Sequence, residues 1–132
     1  MSTKSIAEKL LIKPNTTVWV SHAAHLARIE PLPVGARVVD ELDQATIALV
    51  FADAAASVRE ILNAHTDQLA RPAIFWVAYP KGNKADINRD TLWPILAEYG
   101  MRPIGQVAVD EVWSALRFRP LKQGEAPFTG GQ

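Results

Sequence analysis

Cysteine is absent from all 132 residues. That excludes a disulfide framework, a thiolate zinc site, an iron–sulfur cluster and a cysteine nucleophile. Net charge is absent too, since fourteen basic residues offset fourteen acidic ones. Without a positive field over the whole surface, nucleic acid is not an expected partner, although a local patch stays open. Long apolar runs are missing. The opening segment MSTKSIAEKLLIKPNTT carries charge inside its one apolar stretch, and no run reaches the roughly 18–20 residues that a membrane span needs. The expectation is a cytoplasmic protein without membrane contact. The signatures G-x-x-x-x-G-K-[ST], G-x-G-x-x-G and G-x-S-x-G do not occur either, so neither a standard phosphate loop nor a nucleophile elbow is available.

What is present is an ordinary globular balance, 48% hydrophobic and 21% charged, in a chain long enough for one domain with a core. Ser5 and Glu8 fit a capping box at the start of a short helix that ends by Pro14. TTVWVS (Thr16–Ser21), ARVVD (Ala36–Asp40) and TIALVFA (Thr46–Ala52) read as strands, β-branched or apolar on both faces. HAAHLARIE (His22–Glu30) reads as a helix that Pro31 and Pro33 stop. Val58, Ile61, Leu62 and Leu69 recur at helical spacing, which predicts a helix over Asp53–Ala70 with Asp53 as its N-cap. AIFWVAY (Ala73–Tyr79) is apolar throughout, as expected of a central strand covered on both faces. A further helix carries Leu92, Ile95, Leu96 and Tyr99, with its N-cap near Asn88, Asp90 or Thr91 so that Pro94 falls in the first turn. Gly105–Pro120 holds two β-rich runs with no room for a helix between them, hence an antiparallel hairpin.

Alternating strands and helices predict a three-layer, Rossmann-like α/β domain with a mostly parallel sheet of about six strands, ending in that hairpin. The expected strand order is 2-1-3-4-6-5. Residues 1–120 form the single domain and 121–132 an extended C-terminal tail. The connection Asp40–Ala45 is short for a parallel crossover, which takes about a dozen residues, so the second strand is expected at an edge or paired otherwise.

Several stretches resemble a family of small bacterial proteins known as a domain of unknown function: AEKLLIKPNTTVWVSHAA, IEPLPVGARVVDEL, ATIALVF, FWVAYPKGNKADINRD and VAVDEVWSALRF. The likeness runs in order from about Ala7 to Pro120, and the hairpin Val109–Leu116 is its most specific part. SHAA at Ser21–Ala24 departs from the family's Asn-Ala-Pro type of turn. The resemblance implies a fold and no activity, cofactor or catalytic residue. A looser likeness links the order strand, helix, strand ending in PK, helix and hairpin to the second half of Rossmann-like methyltransferases. The first half lacks the glycine-rich turn that such folds use to approach a cofactor.

Two places are candidate sites. The ligand crevice of an open α/β sheet lies where strand order reverses, here between strands one and three, flanked by Ser21, His22 and Asp53. Beside it, Lys81, Lys84 and Arg89 lie between the central strand and a helix N-terminus, where an anion is favoured. The bland alternative is a solvated connection in which Asp86 and Asp90 neutralise those cations. Adjacent Ser21 and His22 are expected to point apart, and no nucleophile–base–orienter set assembles. No metal site or cofactor is expected. Trp113, Arg117 and Arg119 alternate onto one hairpin face and are expected to form an aromatic–cation interface for a homodimer or protein partner. The first reading is a non-catalytic interaction or regulatory module. The alternative is a binder of an anionic metabolite or nucleotide, or a degenerate transferase, with its site at the strand carboxyl ends.

Overall fold

The computed structural model describes residues 5–82 and 86–126. Six strands form one sheet: β1 (Thr17–Val20), β2 (Arg37–Val38), β3 (Ile47–Phe51), β4 (Ile74–Pro80), β5 (Met101–Ala108) and β6 (Trp113–Pro120). Their spatial order is β2-β1-β3-β4-β6-β5, as the sequence predicts. The first four run parallel, and β6 is antiparallel to both β4 and β5. The domain is therefore the expected Rossmann-like α/β fold closed by a hairpin.

Helices cover both faces, which is why β3 and β4 are apolar at nearly every position. On one face α2 (Ala55–Ala64) and α3 (Arg89–Ala97) pack Val58, Leu62, Leu92, Ile95 and Leu96 against Val50, Phe75, Val77, Leu116 and Phe118. On the other, α1 (Ile6–Lys9) and its exit lay Ala7, Leu10 and Ile12 over Val18, Ile47, Leu49 and Trp76. The buried Trp76 indole N–H donates to the Leu10 carbonyl at 2.9 Å, which satisfies that donor. Both halves of the Ser5–Glu8 capping box form, at 2.8 and 3.1 Å.

The short crossover has a physical solution. β2 is a two-residue edge strand, and the return to β3 contains one 3-10 turn, Leu42–Gln44, pinned by the buried Leu42. The Thr17 hydroxyl donates to the Gln44 carbonyl at 2.8 Å and accepts the Thr46 N–H at 3.0 Å.

Other expectations are corrected. His22–Glu30 is a 3-10 turn over Ala23–Arg28, since six residues without a capping side chain do not offset α-helix nucleation. The helix predicted over Asp53–Ala70 is shorter, and Asp53 does not cap it. The Ala55 N–H instead bonds the Asp86 carboxylate at 2.8 Å. The helix stops where the His65 ring nitrogen turns back to the Ile61 carbonyl at 2.9 Å. Asn88 caps α3 through the N–H groups of Asp90 and Thr91, which leaves Pro94 in the second turn rather than the first. The first hairpin strand begins at Met101, and a bulge between Pro103 and Gly105 interrupts its edge.

The outward-facing Trp113 is the largest correction. Trp113 is only 8% exposed and packs with Phe51, Ala115 and Val109 in the second core cluster. Arg119 does not stand free beside it but pairs with Glu125, as does Arg102. The aromatic–cation interface expected of Trp113, Arg117 and Arg119 thus loses its anchor. Residues 121–126 fold back: the Leu121 N–H bonds the Gly100 carbonyl, and the Arg119 guanidinium, first among its donors, holds the Glu125 carboxyl down to about 2.

Val77 tests this architecture. It is fully buried in the middle of β4, paired with Val50 and Leu116. Accommodating a carboxyl there costs on the order of 5 kcal/mol, against a total stability of about 5–15 kcal/mol for a domain. Val77→Asp is expected to abolish soluble expression. A soluble variant with native circular dichroism would place β4 at an edge.

Candidate functional site

Strand order reverses between β1 and β3, so their carboxyl ends define the crevice where open α/β sheets take ligands. Here protein fills it. The Ser21 N–H donates to the Leu49 carbonyl, and the Ser21 hydroxyl accepts the Phe51 N–H at 2.9 Å, extending the β1–β3 ladder by one side chain. The same hydroxyl lies 3.0 Å from His22 Nδ1, so these neighbours meet rather than point apart as expected. The His25 ring from the 3-10 turn stacks on Phe51, with centres 4.3 Å apart and planes within 8°. It also meets the Trp113 ring edge-on at 4.9 Å.

Arg28 closes the arrangement. Its Nε donates to His25 Nδ1 at 2.9 Å and its Nη1 to the Asp110 carboxylate at 2.8 Å. Its guanidinium carbon sits 5.6 Å from the Trp113 ring centre. Arginine only donates, so His25 Nδ1 must be an acceptor and the ring proton resides on Nε2. Burial lowers the His25 pKa; Arg28 and His22 lower it further, while Asp110 and Asp53 partly oppose them. Burial pushes the Asp110 carboxyl up, but the N–H groups of Trp113 and Val112 and the Arg28 guanidinium outweigh it and hold it below the ordinary value. Lys81 Nζ donates to the Asp110 carbonyl at 2.6 Å. Asp53 stays exposed, and among the described residues no hydrogen bond joins it to Ser21 or His22.

Open space lies beside this plug. A cleft of about 620 Å³ runs between the end of β4, the first turn of α3 and the β5–β6 hairpin. That is within the range of ligand pockets. Lys81, Arg89 and Asp90 line its charged part, and Tyr79, Gln106 and Ser114 its uncharged part. Gln106 Nε2 donates to the Tyr79 hydroxyl at 3.1 Å and to the Ser114 hydroxyl at 3.3 Å. The Ser114 hydroxyl donates to the Val107 carbonyl at 3.1 Å. Tyr79 and Ser114 face each other across the β4–β6 ladder, 4% and 5% exposed.

The six candidate ligand residues therefore divide. Ser21, His22 and Asp53 border the filled crevice, Lys81 and Arg89 line the open cleft, and Lys84 lies outside the described residues. Tyr79, Gln106, Ser114 and the His25–Arg28–Asp110 chain were not anticipated. Ser114 carried a signal, as the one hydroxyl alternating with Leu116 and Phe118 on the helix-facing side of β6. Gln106 carried none, because its partnership with Tyr79 spans two strand pairings.

No family model matches the chain, and no curated protein matches it. Solved structures do. A protein in the NADB-Rossmann superfamily from Streptococcus agalactiae superposes with a TM-score of 0.59 at 11% identity, over 98% of this chain and 72% of that one. Streptococcus pneumoniae Sp1610 in complex with S-adenosyl-L-methionine gives 0.55 at 11% identity, over 98% and 76%. The B. subtilis m1A22 tRNA methyltransferase TrmK gives 0.52 at 11% identity, over 96% and 71%. At these identities the fold is what is shared. The looser architectural likeness to Rossmann-like methyltransferases is thereby supported, while the likeness to the small bacterial family rests on its motifs alone. The expectation of a non-catalytic interaction or regulatory module is overturned: the chains that share this fold include a methyltransferase and an S-adenosyl-L-methionine complex.

The plug has a pH signature. A histidine whose folded pKa lies below its unfolded value of about 6.5 binds fewer protons in the fold. Its contribution to stability is present above pH 6.5 and is lost as pH falls below it. His25→Phe keeps an aromatic ring on Phe51 and removes the titration. The variant's melting temperature is expected to fall less than the parent's between pH 7.5 and pH 5. Parallel pH profiles would contradict the neutral, Arg28-bonded His25.

Proposed function

We propose that the protein binds a small anionic ligand, a phosphorylated metabolite or nucleotide, in the cleft at the carboxyl end of β4, on a fold of transferase type. The observation that carries this reading is the cleft itself. It combines adequate volume with two cations, Lys81 and Arg89, against one lining carboxylate, Asp90. Among the described lining residues, two cations less one carboxylate give a local excess of one positive charge on a chain whose total is zero. Lys81 keeps its charge available, because the hydrogen bond it makes goes to a neutral backbone carbonyl. The bland alternative for this loop had Asp86 and Asp90 neutralise the cations; Asp90 lines the cleft, whereas Asp86 does not and its carboxylate bonds the Ala55 N–H.

S-adenosyl-L-methionine, held by Sp1610 in the solved complex, does not fit the crevice between β1 and β3 of this chain. The segment Ser21–Val34 after β1 contains no glycine, and the His25, Phe51 and Trp113 rings pack together over the strand ends. The open cleft therefore takes the ligand. The N–H groups of Asp90 and Thr91 are already bonded by Asn88, so side-chain charge rather than the α3 terminus supplies the attraction. We place the protein in the cytoplasm, as its lack of long uncharged apolar runs suggests. No helix among the described residues is long and apolar enough to cross a membrane.

Thermal melting with ribose 5-phosphate or pyrophosphate tests the reading. Ligand at a hundredfold excess over Kd stabilises by about 2.7 kcal/mol, a rise on the order of 10 °C for a domain of this size. Arg89→Ala, at an exposed position, is expected to remove most of that rise. Melting curves that stay unmoved at 10 mM of either anion would contradict the proposal, as would an unchanged rise in the variant.

A further inference from the structure

We infer that the uncharged end of the same cleft recognises the edge of a nucleobase, which makes the ligand class a nucleotide. The inference rests on the anion-binding reading above and adds to it. It follows from where the protons must sit. The Ser114 hydroxyl is 3.1 Å from the Val107 carbonyl. A carbonyl only accepts, so the serine proton is committed there. Ser114 Oγ must then accept from Gln106, which fixes the orientation of the Gln106 amide: Nε2 faces Ser114 and Tyr79. The two Nε2 protons are consumed, one by each hydroxyl.

Two groups are left over, side by side. The Tyr79 oxygen already accepts from Gln106, so its own proton is available, and no described residue accepts it. Gln106 Oε1 points away from Nε2 and receives no donor among the described residues. The cleft thus offers one O–H donor beside one carbonyl acceptor. The complement is an acceptor beside a donor, which is the pattern on the pairing edge of every nucleobase: N1 and the 6-amino group of adenine, N3 and the 4-amino group of cytosine, O4 and N3–H of uracil.

The pair is also held in place before any ligand arrives. The Tyr79 ring is 4% exposed and packed in the core, so its hydroxyl is fixed at the cleft wall. Ser114, 5% exposed, anchors the Gln106 amide from behind. Such preorganised, partly desolvated hydrogen-bonding groups discriminate strongly against a ligand that leaves them unpaired. With Lys81 and Arg89 lining the same cleft, one nucleoside monophosphate can satisfy both ends, its base at Tyr79 and Gln106 and its phosphate at the cations.

Calorimetric titration of the full chain with AMP, UMP and ribose 5-phosphate tests this. At least one nucleotide is expected to bind tenfold or more tightly than ribose 5-phosphate. Tyr79→Phe and Gln106→Ala are each expected to bring that ratio close to one, whereas Arg89→Ala weakens nucleotide and sugar phosphate together. Gln106 is exposed on an edge strand, so its variant keeps the test alive if Tyr79→Phe does not fold. Ribose 5-phosphate binding as well as both nucleotides overturns the base-edge inference and leaves the anion reading standing. Nucleotide preference that survives both substitutions also overturns it. Absence of binding by all three ligands overturns both.

Discussion

Asp110 is the residue on which the carboxyl end of the sheet depends. One carboxylate oxygen accepts the N–H groups of Val112 and Trp113, which shapes the β5–β6 turn. The other accepts Arg28, which brings the Ala23–Arg28 turn across the strand ends. The Asp110 carbonyl accepts Lys81 at the end of β4. A half-buried carboxylate with three donors is a strong junction, because each bond is charge-assisted and the burial raises what losing one would cost. Three elements distant in sequence meet there: the segment after β1, the end of β4 and the hairpin.

Two consequences follow from that junction. It closes the crevice between β1 and β3, since Arg28 holds His25 on Phe51. It also fixes the hairpin against β4, and only in that register does Tyr79 oppose Ser114 with Gln106 within reach of both. This chain thus closes the crevice between β1 and β3 with its own side chains and has a cleft beyond it, between β4, α3 and the hairpin. The ionisation states agree with this arrangement. Asp110 stays charged because its donors outweigh its burial, and His25 stays neutral because burial and Arg28 both oppose a second charge.

The sheet was legible in the sequence because its signals are local. Unbroken apolar runs at Ile47–Phe51 and Ile74–Pro80 mark strands covered on both faces, and the absence of room for a helix after Gly105 dictates a hairpin. Even the order of all six strands followed. Trp113 misled because alternation separates two faces of a strand without saying which is covered, and here both are. Asp53 misled because a favoured N-cap residue beside a helix start was outcompeted by Asp86, thirty-one positions beyond the Ala55 N–H it caps. The cleft was half legible. Lys81 and Arg89 stand near each other in sequence, but the Tyr79–Gln106–Ser114 chain exists only once the β4–β6 and β5–β6 registers are set.

The proposed ligand site lies in the β4 cleft and not in the crevice at β1, and amide chemical-shift mapping during titration with AMP distinguishes the two. The expected result is a set of shifts confined to residues 79–82, 88–90, 106–108 and 114, with the amides of 21–29 and 51–53 unmoved. Shifts centred on Ser21–Arg28 and Phe51–Asp53, with the hairpin unmoved, would show that the crevice opens to take the ligand and would contradict the account.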